Sequence, residues 1–320
     1  MSILNLPGKA LAFAVDLFAL GVAKLFVGLM LVLPPDAGLS FARFCIYILR
    51  CLMPRIDGVG MRNLELVFPE KPVEERREIL KKSYEVLARN LFSYATLSKL
   101  TADKVSKLAD YDASAAILKE IRSRGGKSGV IVPSLHFGSF ELVIQIHAIL
   151  GGRLSILARG FGLPMLDTWW NKRRELFGNI LFARKGGYRE IIRRLNLGED
   201  VAILFDQNVK ANHAIYVDFF GIKAATTKTV GLAALRTGAP LIFCVLVDHF
   251  DGTYDMFSKE IPNPINEEGT IDEKIERLTM RLHAISEEVI RRHPEQWFWI
   301  HRRFKTRPPG EPESMYQKIG

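Results

Sequence analysis

The chain begins with a long, nearly uncharged apolar stretch. Residues 10–33 read ALAFAVDLFALGVAKLFVGLMLVL, interrupted by Asp16, Gly21, Lys24 and Gly28. As a helix this run reaches roughly 36 Å, enough to cross a bilayer. Asp16 and Lys24 count against a clean span, because a charge at the centre of an inserted helix costs about 2.5–3.5 kcal/mol on insertion scales. Spaced eight apart, they fall on roughly the same helix face, where they can line a protein contact or snorkel. A second apolar run, Leu39–Met53, carries Arg43 and Arg50 and reads as an amphipathic helix on a membrane surface. A cleaved signal peptide fits poorly: only Lys9 precedes the run, the run is long, and Pro34-Pro35 follows it. The alternative is a pair of buried helices in a soluble core.

Behind this front the periodicity alternates. An apolar stripe through Ile79, Leu80, Tyr84, Leu87, Leu91 and Phe92 predicts a helix over 73–95, with Pro72, Glu74 and Glu75 suited to its start. Further helices are predicted over 112–122, 139–150, 165–177, 188–197, 227–237 and 271–292. Short apolar runs between them predict strands at 129–134, 153–158, 179–183, 201–205, 240–248 and 253–258. Strands that are apolar throughout and alternate with helices belong to a sheet covered on both faces. The expected fold is α/β: a mixed, mostly parallel sheet flanked by helices, with an N-terminal membrane-associated helix. Residues 1–55 read as the membrane-anchoring or interfacial segment and 56–320 as the α/β domain.

Composition removes several classes. The hydrophobic share of 48% is too high for a disordered chain, and a mean hydropathy of +0.08 is too low for a protein of many membrane spans. The three cysteines, Cys45, Cys51 and Cys244, sit in apolar company and make neither a disulfide scaffold nor a zinc fold. The net charge of +9 is local. One basic cluster lies over 172–194 and another over 291–307, the second interleaved with Trp297, Phe298 and Trp299. Basic residues among aromatics suit RNA, a phospholipid surface or a phosphorylated glycolipid. The apolar front favours lipid, and no nucleic-acid motif is present.

Candidate chemistry collects after strands, where open α/β sheets bind ligands. In SLHFGSFE (134–141), His136 falls in a loop and Glu141 in the first turn of the next helix, with Gly138-Ser139 making the bend and cap. Glu141 can then hold one ring nitrogen while the other serves as a general base. The alternative is a capping Glu beside a structural His. Arg159, in LARGFGLP, can contact a phosphate or carboxylate. Asp206, in FDQN, can orient a substrate or a neighbouring Arg, and Thr226-Thr227 can cap a helix or bind an anion. No G-x-S-x-G elbow occurs, so a lipid hydrolase lacks its nucleophile.

Four blocks, in order, carry a family resemblance: RNLELVFPE (62–70), HFGSFE (136–141), the span from Asp206 through FFGIKAATT (219–227), and PEQWFWIHRRFKTRP (294–308). Together they resemble the bacterial lipid A biosynthesis acyltransferases, the late lauroyl/myristoyl group within the lysophospholipid-acyltransferase-like superfamily. The resemblance implies a His136–Glu141 dyad. It also implies substrate contacts at Arg159, Arg184, Asp206 and Gln207, with the acceptor's phosphates met from 172–194 or from 302–307, Arg302 and Arg303 included. The implied reaction moves an acyl chain from an acyl carrier protein or coenzyme A thioester to a hydroxyl, with no metal and no resident cofactor. The implied partners are the acyl carrier protein, a phosphorylated glycolipid acceptor and membrane lipids. The implied location is the bacterial inner membrane, with catalysis on its cytoplasmic side. Other glycolipids and lysophospholipids stay open as acceptors. A non-catalytic lipid-surface or RNA-binding protein is the rival class.

Overall fold

The computed structural model describes residues 6–150, 152–158, 160–183, 186–311 and 315–316. Its helices are α1 (Leu6–Val32), α2 (Pro35–Leu52), α3 (Arg55–Val67), α4 (Val73–Ala95), α5 (Ala102–Leu108), α6 (Asp112–Ser123), α7 (Phe140–Leu150), α8 (Pro164–Arg174), α9 (Gly187–Asn196), α10 (Thr229–Thr237) and α11 (Ile271–Arg292). Its strands are β1 (Ala109–Asp110), β2 (Ile131–Ser134), β3 (Leu154–Ala158), β4 (Ile180–Ala183), β5 (Asp200–Leu204), β6 (Ala214–Phe219), β7 (Ile222–Thr227), β8 (Leu241–Asp248) and β9 (Tyr254–Ile261). Seven strands form one sheet in the order β1-β9-β8-β2-β5-β3-β4. Within it, β8 and β9 pair antiparallel and the other pairs are parallel. The expected mixed, mostly parallel α/β sheet is what forms.

Strand alternation divides the core between the two faces of the sheet. Ile131, Ile203 and Phe243 join Ile191, Val230 and Leu282 in one cluster, while Val132, Ala202 and Ile242 join Leu118, Val143 and Ile146 in another. Every residue of β2 and of β8 is buried, as the unbroken apolar runs require. The sequence pattern did not predict α3, α5, β1 or the β6–β7 hairpin. The hairpin turn is Phe220-Gly221, with φ of 54° and 74°. Two positive φ values suit the twist of a tight hairpin, but a phenylalanine in that region is uncommon and gives no turn signal.

The N-terminal run is a single helix, and Ala10–Val32 is long and apolar enough to cross a membrane. Leu11, Phe13, Phe18, Val22 and Leu25 point outward, whereas Asp16, Leu20, Val27 and Met30 are buried along one stripe. Asp16 has a specific partner. Its carboxylate accepts from the backbone N–H of Met165 at 2.8 Å and of Leu166 at 3.0 Å. These are free donors in the first turn of α8, whose own N-cap residue, Leu163, makes no side-chain cap. The N-terminal helix α1 therefore caps α8, about 150 residues further along the chain. Lys24 is exposed, and its offset of about 80° from Asp16 around the helix is enough to part them. We expect Asp16→Ala to destabilise the detergent-solubilised protein by about 1–2 kcal/mol, the worth of a helix cap. An unchanged melting midpoint would show that the contact contributes nothing.

Next, α2 lays Gly38 and Ala42 against α4 and exposes Phe44, Tyr47 and Leu52. It meets α3 at a 93° bend. This is the amphipathic pattern expected of a surface-lying helix.

Candidate active site

The register of two neighbouring strands builds the site. β2 and β5 pair with Ser134 opposite Leu204. Two residues beyond each, His136 and Asp206 arrive side by side at the carboxyl edge of the sheet. His136 Nδ1 lies 2.8 Å from Asp206 Oδ1. The other oxygen, Oδ2, accepts from the His136 backbone N–H at 3.0 Å and from Trp297 Nε1–H at 2.9 Å. Asp206 is buried. Burial alone would raise its pKa, but the His136 ring and these donors outweigh burial and hold the carboxyl below its usual range.

An ionised carboxylate only accepts, so the proton on the imidazole sits at Nδ1 and the lone pair at Nε2. Gln207 faces that nitrogen, its amide N–H donating to His136 Nε2 at 3.2 Å. The imidazole side chain is 20% exposed, so it can meet a substrate. This is the geometry of a general base whose tautomer is fixed by a buried acid.

The C-terminal block holds the His136 loop in place. Phe298 N–H donates to the His136 carbonyl at 3.1 Å, and Gly138 N–H donates to the Gln296 carbonyl at 2.8 Å. Asn90 of α4 donates to the Gly138 carbonyl. The first block is tied to the last: Asn63 donates to the Trp299 and His301 carbonyls. The loop after β5 is tied to it as well, with His301 Nε2 accepting from Asn208 N–H at 2.9 Å. Burial pushes the His301 pKa down to about 4, so the ring is a neutral acceptor.

Glu141 is not where the His-Glu spacing suggested. It sits in the first turn of α7, and its oxygens are taken by the Arg174 guanidinium, with Nε at 3.0 Å from Oε2 and a second bond to Oε1. Burial works against the Arg174 charge, but Glu141 more than offsets it and the pKa is raised. Asp206, not Glu141, orients the imidazole. Arg303 also departs from expectation. It is 1% exposed, bonded to Ala225 O at 2.8 Å and Thr226 Oγ1 at 2.6 Å, so it cannot greet a phosphate at the surface. Burial lowers its pKa to about 10, and it stays charged. Arg302 is half-buried, its guanidinium over the Tyr316 ring. Arg159 and Arg184 lie outside the described residues.

Much of the 172–194 cluster is engaged internally. Arg173 donates to the Tyr94 and Ala95 carbonyls, and Arg193 and Arg194 pair with Glu190 and Glu199. Within the two basic clusters, Lys172, Arg189, Arg302 and Lys305 make no ion pair among the described residues, and Arg173 and Arg303 are taken by backbone carbonyls.

Behind Phe140, an apolar cavity runs beneath α7, lined by Leu118, Val132, Val143, Leu154 and Ile242. Phe140 lines it too, and its ring centroid is 5.2 Å from that of His136. The residues of this arrangement that escaped sequence reading are Trp297, read as part of a basic-aromatic cluster, and Arg174, read only as one member of the 172–194 cluster. Their roles depend on which strands and helices are neighbours, which spacing along the chain does not show.

A family model described as bacterial lipid A biosynthesis acyltransferase matches residues 16–306. Among curated proteins, the chain is 29% identical to the lipid A biosynthesis palmitoleoyltransferase of Escherichia coli (strain K12), over 83% of this chain and 84% of that protein. It is 26% identical to the lipid A biosynthesis myristoyltransferase of the same organism, over 80% and 77% of the two chains. It is likewise 26% identical to the lauroyltransferase, over 81% and 82%.

Proposed function

The chain belongs to the bacterial lipid A biosynthesis acyltransferase family, and on that premise we propose that it moves a fatty acyl chain from a carrier thioester to a hydroxyl of a phosphorylated lipid A precursor, with His136 as general base. The observation that carries this reading is the Asp206–His136 pair, which leaves a lone pair on Nε2 at a strand end. The acceptor hydroxyl gives its proton to Nε2 and its oxygen attacks the thioester carbon. The N-terminal turn of α7 offers partial positive charge to the tetrahedral oxyanion. Collapse breaks the C–S bond, and the leaving thiolate takes the proton back from Nε2–H. The products are an ester and a free carrier thiol.

The remaining parts have natural places in this scheme. The cavity beneath α7 offers an apolar place for the first methylenes of an acyl chain, each contributing about 0.8 kcal/mol when buried. Lys172, Arg189, Arg302 and Lys305 are cations open to the acceptor's phosphates or to an acidic acyl carrier protein. Glu141 stays in the scheme as the partner that fixes Arg174 at the start of α7. The outward apolar faces of α1 and α2 hold the enzyme at the bacterial inner membrane, on the side where carrier thioesters are found.

The test is incubation with lauroyl thioesters of acyl carrier protein and of coenzyme A, plus a phosphorylated disaccharide lipid precursor, followed by mass analysis. A gain of one acyl chain is expected, with a loss of at least about a hundredfold in a folded His136→Ala variant. Free fatty acid alone would mark a hydrolase. Gain on a different glycolipid or a lysophospholipid would move the acceptor. A near-normal rate in His136→Ala would remove the base.

A further inference from the structure

His136 Nε2 carries the lone pair that the reaction needs, and that lone pair is occupied. The donor is the Gln207 amide at 3.2 Å. Because Asp206 fixes the ring proton at Nδ1, only the Nε2 end of Gln207 can face the ring, since its oxygen would meet another acceptor. Gln207 directly follows Asp206, so the end of β5 fixes one ring nitrogen and covers the other. Gln207 is half-buried.

An uncovered base beside a thioester serves water as readily as an alcohol. Water would give its proton to Nε2, its oxygen would attack the thioester carbon, and the C–S bond would break. The thiolate would then take the proton from Nε2–H, leaving a free fatty acid and the carrier thiol. A bound acceptor differs from water in having the rest of its structure to hold it in place while its hydroxyl displaces the amide.

We propose that Gln207 is a latch on the base: its amide covers His136 Nε2 until an acceptor hydroxyl displaces it, which suppresses hydrolysis of the acyl thioester while no acceptor is bound. This rests on His136 acting as the base of acyl transfer.

The test uses the full-length protein with Gln207→Leu and Gln207→Met, both of which keep bulk and remove the donor. Fatty acid release from lauroyl thioesters of both carriers is measured with and without the disaccharide acceptor. Free acid released without acceptor, relative to the rate of transfer with acceptor, is expected to rise on the order of fivefold, the factor that one ordinary hydrogen bond allows. The added release should vanish when His136→Ala is combined with Gln207→Leu. A ratio that stays at the wild-type value in both variants overturns the latch, including a parallel loss of both products, which would make Gln207 a plain substrate contact. Added release that survives in the double variant also overturns it. Normal transfer by His136→Ala alone would instead sink the base assignment beneath it. Circular dichroism and melting temperature show which variants are folded, and the comparison is read from those.

Discussion

Replacing Asp206 by Asn should lower the transfer rate by about three orders of magnitude, within the 10²–10⁴ range of general-base effects, while the protein stays folded. The substitution keeps the shape and changes the donors. In the native site one carboxylate oxygen takes Nδ1–H, and the other takes both the His136 backbone N–H and Trp297 Nε1–H. An asparagine has one oxygen for these two positions. If that oxygen faces the backbone and the indole, its NH₂ faces Nδ1 and forces the ring proton onto Nε2, where it removes the base. If the oxygen faces Nδ1, the NH₂ opposes two buried donors, an arrangement that costs about 1–3 kcal/mol for each group left unpaired. The first orientation is favoured, and it produces the wrong tautomer. The loss should fall on kcat, with substrate affinity little changed. Steady-state kinetics on lauroyl thioester and acceptor, beside a melting curve, checks both parts. A variant retaining a tenth of the native rate would show that Nδ1 does not need an acid.

The same pair shows how far the sequence could be read. The strands at 129–134 and 201–205 were legible as apolar runs, and both His136 and Asp206 stood out because they follow such runs. That these strands are adjacent, with Ser134 opposite Leu204, is a property of the sheet order, and spacing along the chain does not encode it. Glu141, only five residues from His136, was therefore the more visible partner, although Arg174 claims it. Asp16 presents the reverse case. In the sequence it was a charge that could line a protein contact or snorkel, and the contact it makes lies 149 residues away at the start of α8. The basic clusters misled for a related reason. A cation's spacing says nothing of whether it meets an acid, a carbonyl or water, and Arg303 and Arg173 turned out to serve the interior.

Gly138 was read as the bend between His136 and Glu141, and the structure makes it a stricter requirement than a bend. Its φ is +51°, and a Cβ built there would stand 1.9 Å from the Leu246 carbonyl oxygen. The torsion alone costs an L-residue about 1–2 kcal/mol. The overlap is worse, because the obstacle is backbone of β8, buried along its whole length and unable to retreat. Gly138→Ala must therefore lift the loop, which breaks the Gly138 N–H bond to Gln296 O and the Asn90 bond to Gly138 O. The expected destabilisation is at least about 3–5 kcal/mol, in the range reserved for core disruption. His136 sits two residues away and would move with the loop, and a displacement near 1 Å costs about a hundredfold in rate. Gly125 supplies the control. Its φ is +76°, yet nothing lies within 4 Å of its added Cβ. Gly125→Ala should cost only the torsion, about 1–2 kcal/mol, and leave acyl transfer intact. The difference between the two melting curves then isolates the β8 contact from the torsion. If both variants melt alike and both transfer normally, the His136 loop is not pinned against β8, and the geometry of the base must be held elsewhere.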